Sequence, residues 1–217
     1  MLERYLQTVV TDDAPEGQPA AVRERLKGHF PPGAVRRMTT LGMLVGSALG
    51  ELGPREEDAV VYASGYAESR TLEGFIDSFP TPSPTLFQTS IHPSAVQQLM
   101  IGRQLSVGEF LPLSGGSLLA FHALRAAFLA PAARVLLCGG EEKGTWLLEF
   151  GLASDRTFAF GAALTRERGV APAARLQLRR GEGAGELALA AWFDLLNGRA
   201  GFSGFVAPGW QLDLEWL

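Results

Sequence analysis

Apolar residues along this chain fall into short runs separated by stretches rich in glycine and proline, and the runs differ in period. From Ala34 to Leu52 small and apolar residues recur at helical spacing behind the Arg36–Arg37 pair, and Gly53–Pro54 supply a stop signal, so the pattern predicts a largely buried helix. Its glycines imply close packing. Asp58 to Ser64 is apolar and β-branched, ends at Gly65, and has the form of a buried strand of a parallel sheet. Glu109 to Leu113 reads as a strand, Gly115 to Leu129 as a helix apolar nearly all round, and Arg134 to Cys138 as a further strand closed by Gly139–Gly140. A helix of that kind is expected between two layers. Thr157 to Arg166 and Arg175 to Arg179 alternate as strands do, and Glu186 to Asn197 is an amphipathic helix.

The connections are as informative as the runs. Thr11 to Gly33 is irregular, with one short helix over Ala20 to Lys27. Phe79 to Pro93 holds four prolines, which predicts an extended loop before a helix that starts near Ser94. The C-terminal GFSGFVAPGWQLDLEWL has no trusted period, and its aromatics Phe202, Phe205, Trp210 and Trp216 are read either as a cover over an exposed core edge or as a partner interface. No period of twenty to fifty residues repeats, so one domain over residues 1–217 is expected.

Composition narrows the function classes. A net charge of −4 with scattered Lys and Arg gives no footprint for a nucleic acid. Leu41 to Leu52, the richest apolar window, is interrupted by glycines and too short for a bilayer, and Glu3 and Arg4 break the apolar start that a secretory signal needs. Neither membrane insertion nor export is expected. A single cysteine, Cys138, excludes an internal disulfide and is consistent with the cytoplasm. His29, His92 and His122 lie too far apart for a local ligand pair, so no metal site is expected.

The segment PLSGGSLLAFHALRAAF carries the candidate chemistry. Ser114 stands between a strand and a helix, with Gly115 and Gly116 allowing close backbone approach, where α/β enzymes place nucleophiles and where first-turn N–H groups stabilise an anion. Alternatively it is a helix N-cap. His122, eight residues on, lies about 12 Å along the axis and cannot act as its base. His92 reaches it only if the fold brings the proline-rich loop there. The G-x-S-x-G elbow of hydrolases is missing.

Six segments in order resemble the N-terminal half of the β-ketoacyl synthases of the thiolase superfamily. They are RRMTTLGMLVGSAL, DAVVYASGYAES, SPTLFQTSIHPSAVQQLMIG, SVGEFLPLSGGSLLAFHALRAAF, RVLLCGGEE and FAFGAALTRER, within roughly residues 34 to 180. The resemblance implies an α/β, thiolase-like half, a single layer unit with a mixed, largely parallel five-stranded sheet around a buried central helix. It places Ser114 where the family has its nucleophilic cysteine, and the family's two catalytic histidines belong to a C-terminal half beyond the matched stretch. A decarboxylative condensation needs both sets. The resemblance therefore implies a short ketosynthase-like or chain-length-factor-like protein of polyketide or aryl-polyene pathways: a noncatalytic subunit that pairs with an active synthase, without a cofactor.

In the family the strand before the nucleophile pairs across a two-fold axis, which here points to Ser106 to Leu113, and the loop Phe87 to His92 is expected to reach the partner. Phe87, His92, Phe110, Leu113, Ser114, Gly115 and Gly116 are the pocket or interface candidates. Arg36, Arg37 and Arg103 are candidates for contact with an acyl carrier protein. Two other readings stay open at this point: an enzyme that uses Ser114 for acyl transfer or hydrolysis, and a homodimer that binds acyl groups or a carrier protein without turnover.

Overall fold

The structure is a computed structural model that describes residues 1–217. In chain order the elements are β1 (Leu2–Asp12), α1 (Pro19–Leu26), α2 (Pro32–Val35), α3 (Thr40–Glu51), β2 (Ala59–Ser64), α4 (Ser69–Asp77), α5 (Pro84–Thr89) and α6 (Ser94–Arg103). There follow β3 (Glu109–Ser114), α7 (Leu119–Leu129), β4 (Arg134–Glu141), β5 (Phe158–Thr165), β6 (Ala174–Arg180), α8 (Leu189–Asn197), β7 (Phe202–Ala207) and β8 (Trp210–Trp216).

All eight strands belong to one mixed sheet in the order β3-β2-β4-β5-β1-β6-β8-β7. The α/β class and the mixed sheet agree with the sequence expectation, but five strands and a largely parallel arrangement do not. The parallel pairs are β2–β3 and β2–β4, and every other adjacent pair is antiparallel. The added strands are β1, whose charged and apolar residues mask its period, and the hairpin β7–β8, turned by Pro208–Gly209 with Gly209 at a φ of 72°.

Each face of the sheet carries its own core. One contains α7 and α8, with Phe121, Phe160 and Trp192 among its buried residues; the other contains α1, α3 and α6, with Phe30, Met43 and Tyr62. Alternate residues of β2 feed the two cores in turn, Ala59, Val61 and Ala63 into the first and Val60 and Tyr62 into the second, the two-residue period of a strand buried on both faces. On α3, Thr39 Oγ1 accepts the Gly42 N–H at 2.9 Å as an N-cap, and a Cβ at Gly46 would stand 3.2 Å from the Phe30 ring. The small residues of this helix do serve close packing.

Two further expectations need correction. The proline-rich stretch is not wholly extended: Ser83 accepts the Leu86 N–H and starts α5, with Pro84 at its first position. The helix expected from Gly115 begins at Leu119, and it is buried on one side only, with His122, Arg125 and Leu129 exposed. The exposed positions follow the helical repeat at 122, 125 and 129, while Ala120, Phe121, Ala123, Leu124, Ala127 and Phe128 turn into the core. No helix is long and apolar enough to cross a membrane.

Candidate functional site

The parallel strands β3, β2 and β4 end together, and the candidate site lies at their C-terminal ends. Ser114 is the last residue of β3, is exposed, and stands in register with Ser64 of β2. The chain then turns through Gly115 and Gly116 at φ of 80° and 76°, left-handed values that a side chain disfavours. A Cβ at either glycine would meet nothing within 4 Å, so it is backbone conformation and not close approach that requires them. Because α7 starts at Leu119 with Leu118 at its N-cap position, Ser114 does not cap it.

No histidine partners Ser114. His29 Nδ1 is 2.7 Å from Ser47 Oγ, His92 Nδ1 is 3.3 Å from Glu68 Oε2, and His122 is exposed on α7 against the Phe121 ring. The only cysteine, Cys138, is buried in β4, and burial pushes its thiol far above the ordinary range, which leaves no thiolate for chemistry. No group of three or more His, Cys, Asp or Glu side chains is placed to hold a metal ion.

What the sequence reading missed is a pair of carboxylates after the Gly139–Gly140 closure. Glu141 is buried; its Oε1 accepts the Gly65 N–H at 2.5 Å, and its Oε2 is 3.3 Å from both the Ser64 hydroxyl and the Tyr66 N–H. Burial pushes its carboxyl up to about 7, against the pull of those donors, and the neighbouring Glu68 adds to the rise. Glu142 accepts the Leu41 N–H at 3.2 Å in the first turn of α3, where the helix dipole favours a carboxylate, although burial still raises its pKa. The signal was present in the sequence: two acidic residues directly after an unbroken apolar strand have to be accommodated in the interior or at its edge.

Glu141 faces a cleft of about 460 Å³ that also takes in Tyr66, Gly116 and Ser117 from the turns and Leu189 and Ala190 from the start of α8. The start of α8 thus contributes a wall of the cleft beside the turn after Ser114. Of the candidates named from sequence, Gly116 is the one that lines it. Phe110 packs toward the core on the α3 and α6 side and Leu113 toward the opposite one, so these two strand residues face away from each other. Phe87 lies on α5, 54% exposed, with its ring 5.3 Å from Phe75. Arg36 and Arg37 are exposed and share a second cleft with Arg23 and Arg70, whereas Arg103 is tied to the His29 carbonyl at 2.9 Å.

This arrangement of strands is found in solved structures. A ketosynthase in complex with its chain length factor, from Xenorhabdus doucetiae, superposes with a TM-score of 0.69 at 18% identity, covering 99% of this chain and 100% of that one. The chain has the thiolase-like ketosynthase fold. The ishigamide ketosynthase/chain length factor superposes with a TM-score of 0.58 at 12% identity, over 82% of this chain and 67% of that one. No protein-family model matches the sequence, and no curated protein matches it either. At identities of 18% and 12% the likeness is one of fold.

Proposed function

We propose that this chain is a noncatalytic ketosynthase-like subunit that pairs with an active β-ketoacyl synthase and shapes acyl-chain elongation in a polyketide or aryl-polyene type of pathway. The observation that carries the reading is the superposition over essentially the full length of both chains on one from a ketosynthase–chain length factor complex. Two features support it. Where the resemblance places the nucleophile, Ser114 has no histidine beside it, and a condensation needs both a nucleophile that holds the acyl chain and donors for the oxyanion. And β3 lies at the edge of the sheet, hydrogen-bonded to β2 alone, with Leu111 exposed: an unpaired edge of the kind proteins cover by association.

Arg36 and Arg37 belong to the same reading as contacts for an acidic acyl carrier protein, since they are exposed and lie beside Arg23 and Arg70. The proposed pair works in the cytoplasm and needs no cofactor in this chain.

The test is size analysis and mass spectrometry of the protein alone and co-expressed with the ketosynthase nearest to it in the genome, each after exposure to acyl carrier protein loaded with a labelled acyl group. A stable heterodimer labelled only on the partner supports the accessory role. Label attached to Ser114 in the protein alone overturns it and makes the chain an acyl-transferring enzyme.

A further inference from the structure

We propose that the arginine-lined cleft between α1, the turn before α3 and the start of α4 is a binding site for a diphosphate group, free or carried on a nucleotide. Four guanidiniums line this cleft of about 330 Å³, those of Arg23, Arg36, Arg37 and Arg70, against the single carboxylate of Glu142. Such a gathering of one sign runs against the net charge of −4 on the chain and gives the cleft a field that attracts anions.

The arginines differ in how they are held. Arg23 donates to the main-chain carbonyls of Met38 and Val35, the latter at 3.1 Å, which fixes its guanidinium without neutralising it. Arg70 stands 3.2 Å from Glu73, whose buried carboxylate is already shared with the N–H groups of Thr145 and Leu147, each at 2.8 Å. Arg36 and Arg37 are exposed, and neither pairs with a carboxylate. Two positioned guanidiniums and two free ones thus border one cavity. Glu142 does not cancel them. It is buried and accepts the Leu41 N–H at 3.2 Å, and burial raises its pKa while Arg70 and Arg23 draw it down.

The chemistry of the walls selects the ligand. A guanidinium fork matches phosphoryl oxygens bidentately, so two pairs of forks suit two linked phosphoryl groups better than one compact anion. Thr71 and Thr85 add hydroxyl donors. Arg70 and Glu142 also stand in the wall of an adjoining cleft of about 300 Å³ that brings in Lys143, which leaves room for whatever the diphosphate carries. The cleft beside Ser114, by contrast, is lined by Glu141 and Asp155 and by no cation, so it does not compete for such a ligand. The inference goes beyond the pairing with a ketosynthase and does not rest on it.

Isothermal titration calorimetry of the full chain, near neutral pH and at fixed ionic strength, tests the site with inorganic pyrophosphate, with ADP and with citrate, a multivalent anion without phosphorus. Pyrophosphate is expected to bind at one site, and the double variant Arg36→Ala/Arg37→Ala to weaken it by about ten-fold or more, the size of one charge-assisted hydrogen bond. Arg168→Ala/Arg199→Ala, which removes the same charge from exposed positions elsewhere, should leave it unchanged. Tighter binding of ADP than of pyrophosphate marks a nucleotide as the carrier of the group, and ADP no tighter than pyrophosphate marks the diphosphate alone; either supports the site. No binding by the wild-type protein, citrate bound as tightly as pyrophosphate, or full affinity in Arg36→Ala/Arg37→Ala overturns it. Acyl carrier protein bound through Arg36 and Arg37 while pyrophosphate and ADP are not also overturns the diphosphate site, and leaves the proposed carrier contact standing.

Discussion

Arg4 Nη2 donates to the carbonyl oxygen of Ala130 at 2.7 Å, placing a fully buried guanidinium at the end of α7. The same side chain reaches the carbonyls of Phe128 at 3.4 Å and Ala132 at 3.2 Å, and Arg166 also donates to Ala130, at 2.9 Å. No carboxylate answers this charge. The C-terminal carbonyls of α7 do so instead, as the negative end of the helix dipole. Burial, with the nearby Arg166, pulls the guanidinium down to about 10, still well above neutrality.

Replacing Arg4 with Met should therefore destabilise the fold by about 2–4 kcal/mol, because carbonyls satisfied by the guanidinium would be left buried without donors. Urea denaturation of the two proteins measures this directly. A loss below about 1 kcal/mol would mean that Arg166 and solvent replace those bonds.

Glu141 sets a pH dependence whose sign follows from its raised pKa. Between the unfolded value near 4.5 and the folded value of about 7 the native chain holds a proton that the unfolded chain has lost. Stability is lost as pH rises through that window, and no more is lost from this group above it. Relative to wild type, Glu141→Gln should gain about 2–3 kcal/mol on going from pH 5 to pH 8, read as the difference between their urea midpoints.

Ser114 is exposed and unpaired with any histidine, so Ser114→Ala should change stability by less than about 0.5 kcal/mol. It should also leave association with a co-expressed ketosynthase intact, and the wild-type protein should not react with a fluorophosphonate probe. Labelling at Ser114 would point to a base that the present geometry does not supply.

Leu111 is exposed on the free edge of β3. A charge there, as in Leu111→Lys, should abolish edge-to-edge association seen by gel filtration while leaving the circular dichroism spectrum unchanged. Unaltered association would move the partner surface away from this strand.

Cys138 should resist iodoacetamide in the native protein and react fully in denaturant, since burial disfavours its thiolate and encloses the sulfur. Rapid native alkylation would mean that β4 opens locally.

The elements legible in the sequence are those whose signal is local. The unbroken run Ala59–Ser64 marks a buried strand, whereas Gly115–Gly116, read as the start of a helix, make a left-handed turn ahead of it. The alternation in WQLDLEW, which buries Leu212 and Leu214, and the Pro208–Gly209 turn before it were equally local and could have been read as a hairpin. In β1 the period was hidden because Arg4, a charged residue, is one of the buried positions, and only the carbonyls at the end of α7, more than a hundred residues away, make that burial possible.

The site divides along the same line. Sequence alone determined the α/β class and the lack of a second cysteine, because residue identity and local period act at short range. Tertiary structure decided that Glu141 grips the turn after β2, that His92 stands against Glu68, that β7 and β8 extend the sheet, and that the start of α8 walls the cleft. Those outcomes depend on which distant backbone donors and carbonyls a buried charge meets, and that is settled only when the strands are ordered in one sheet.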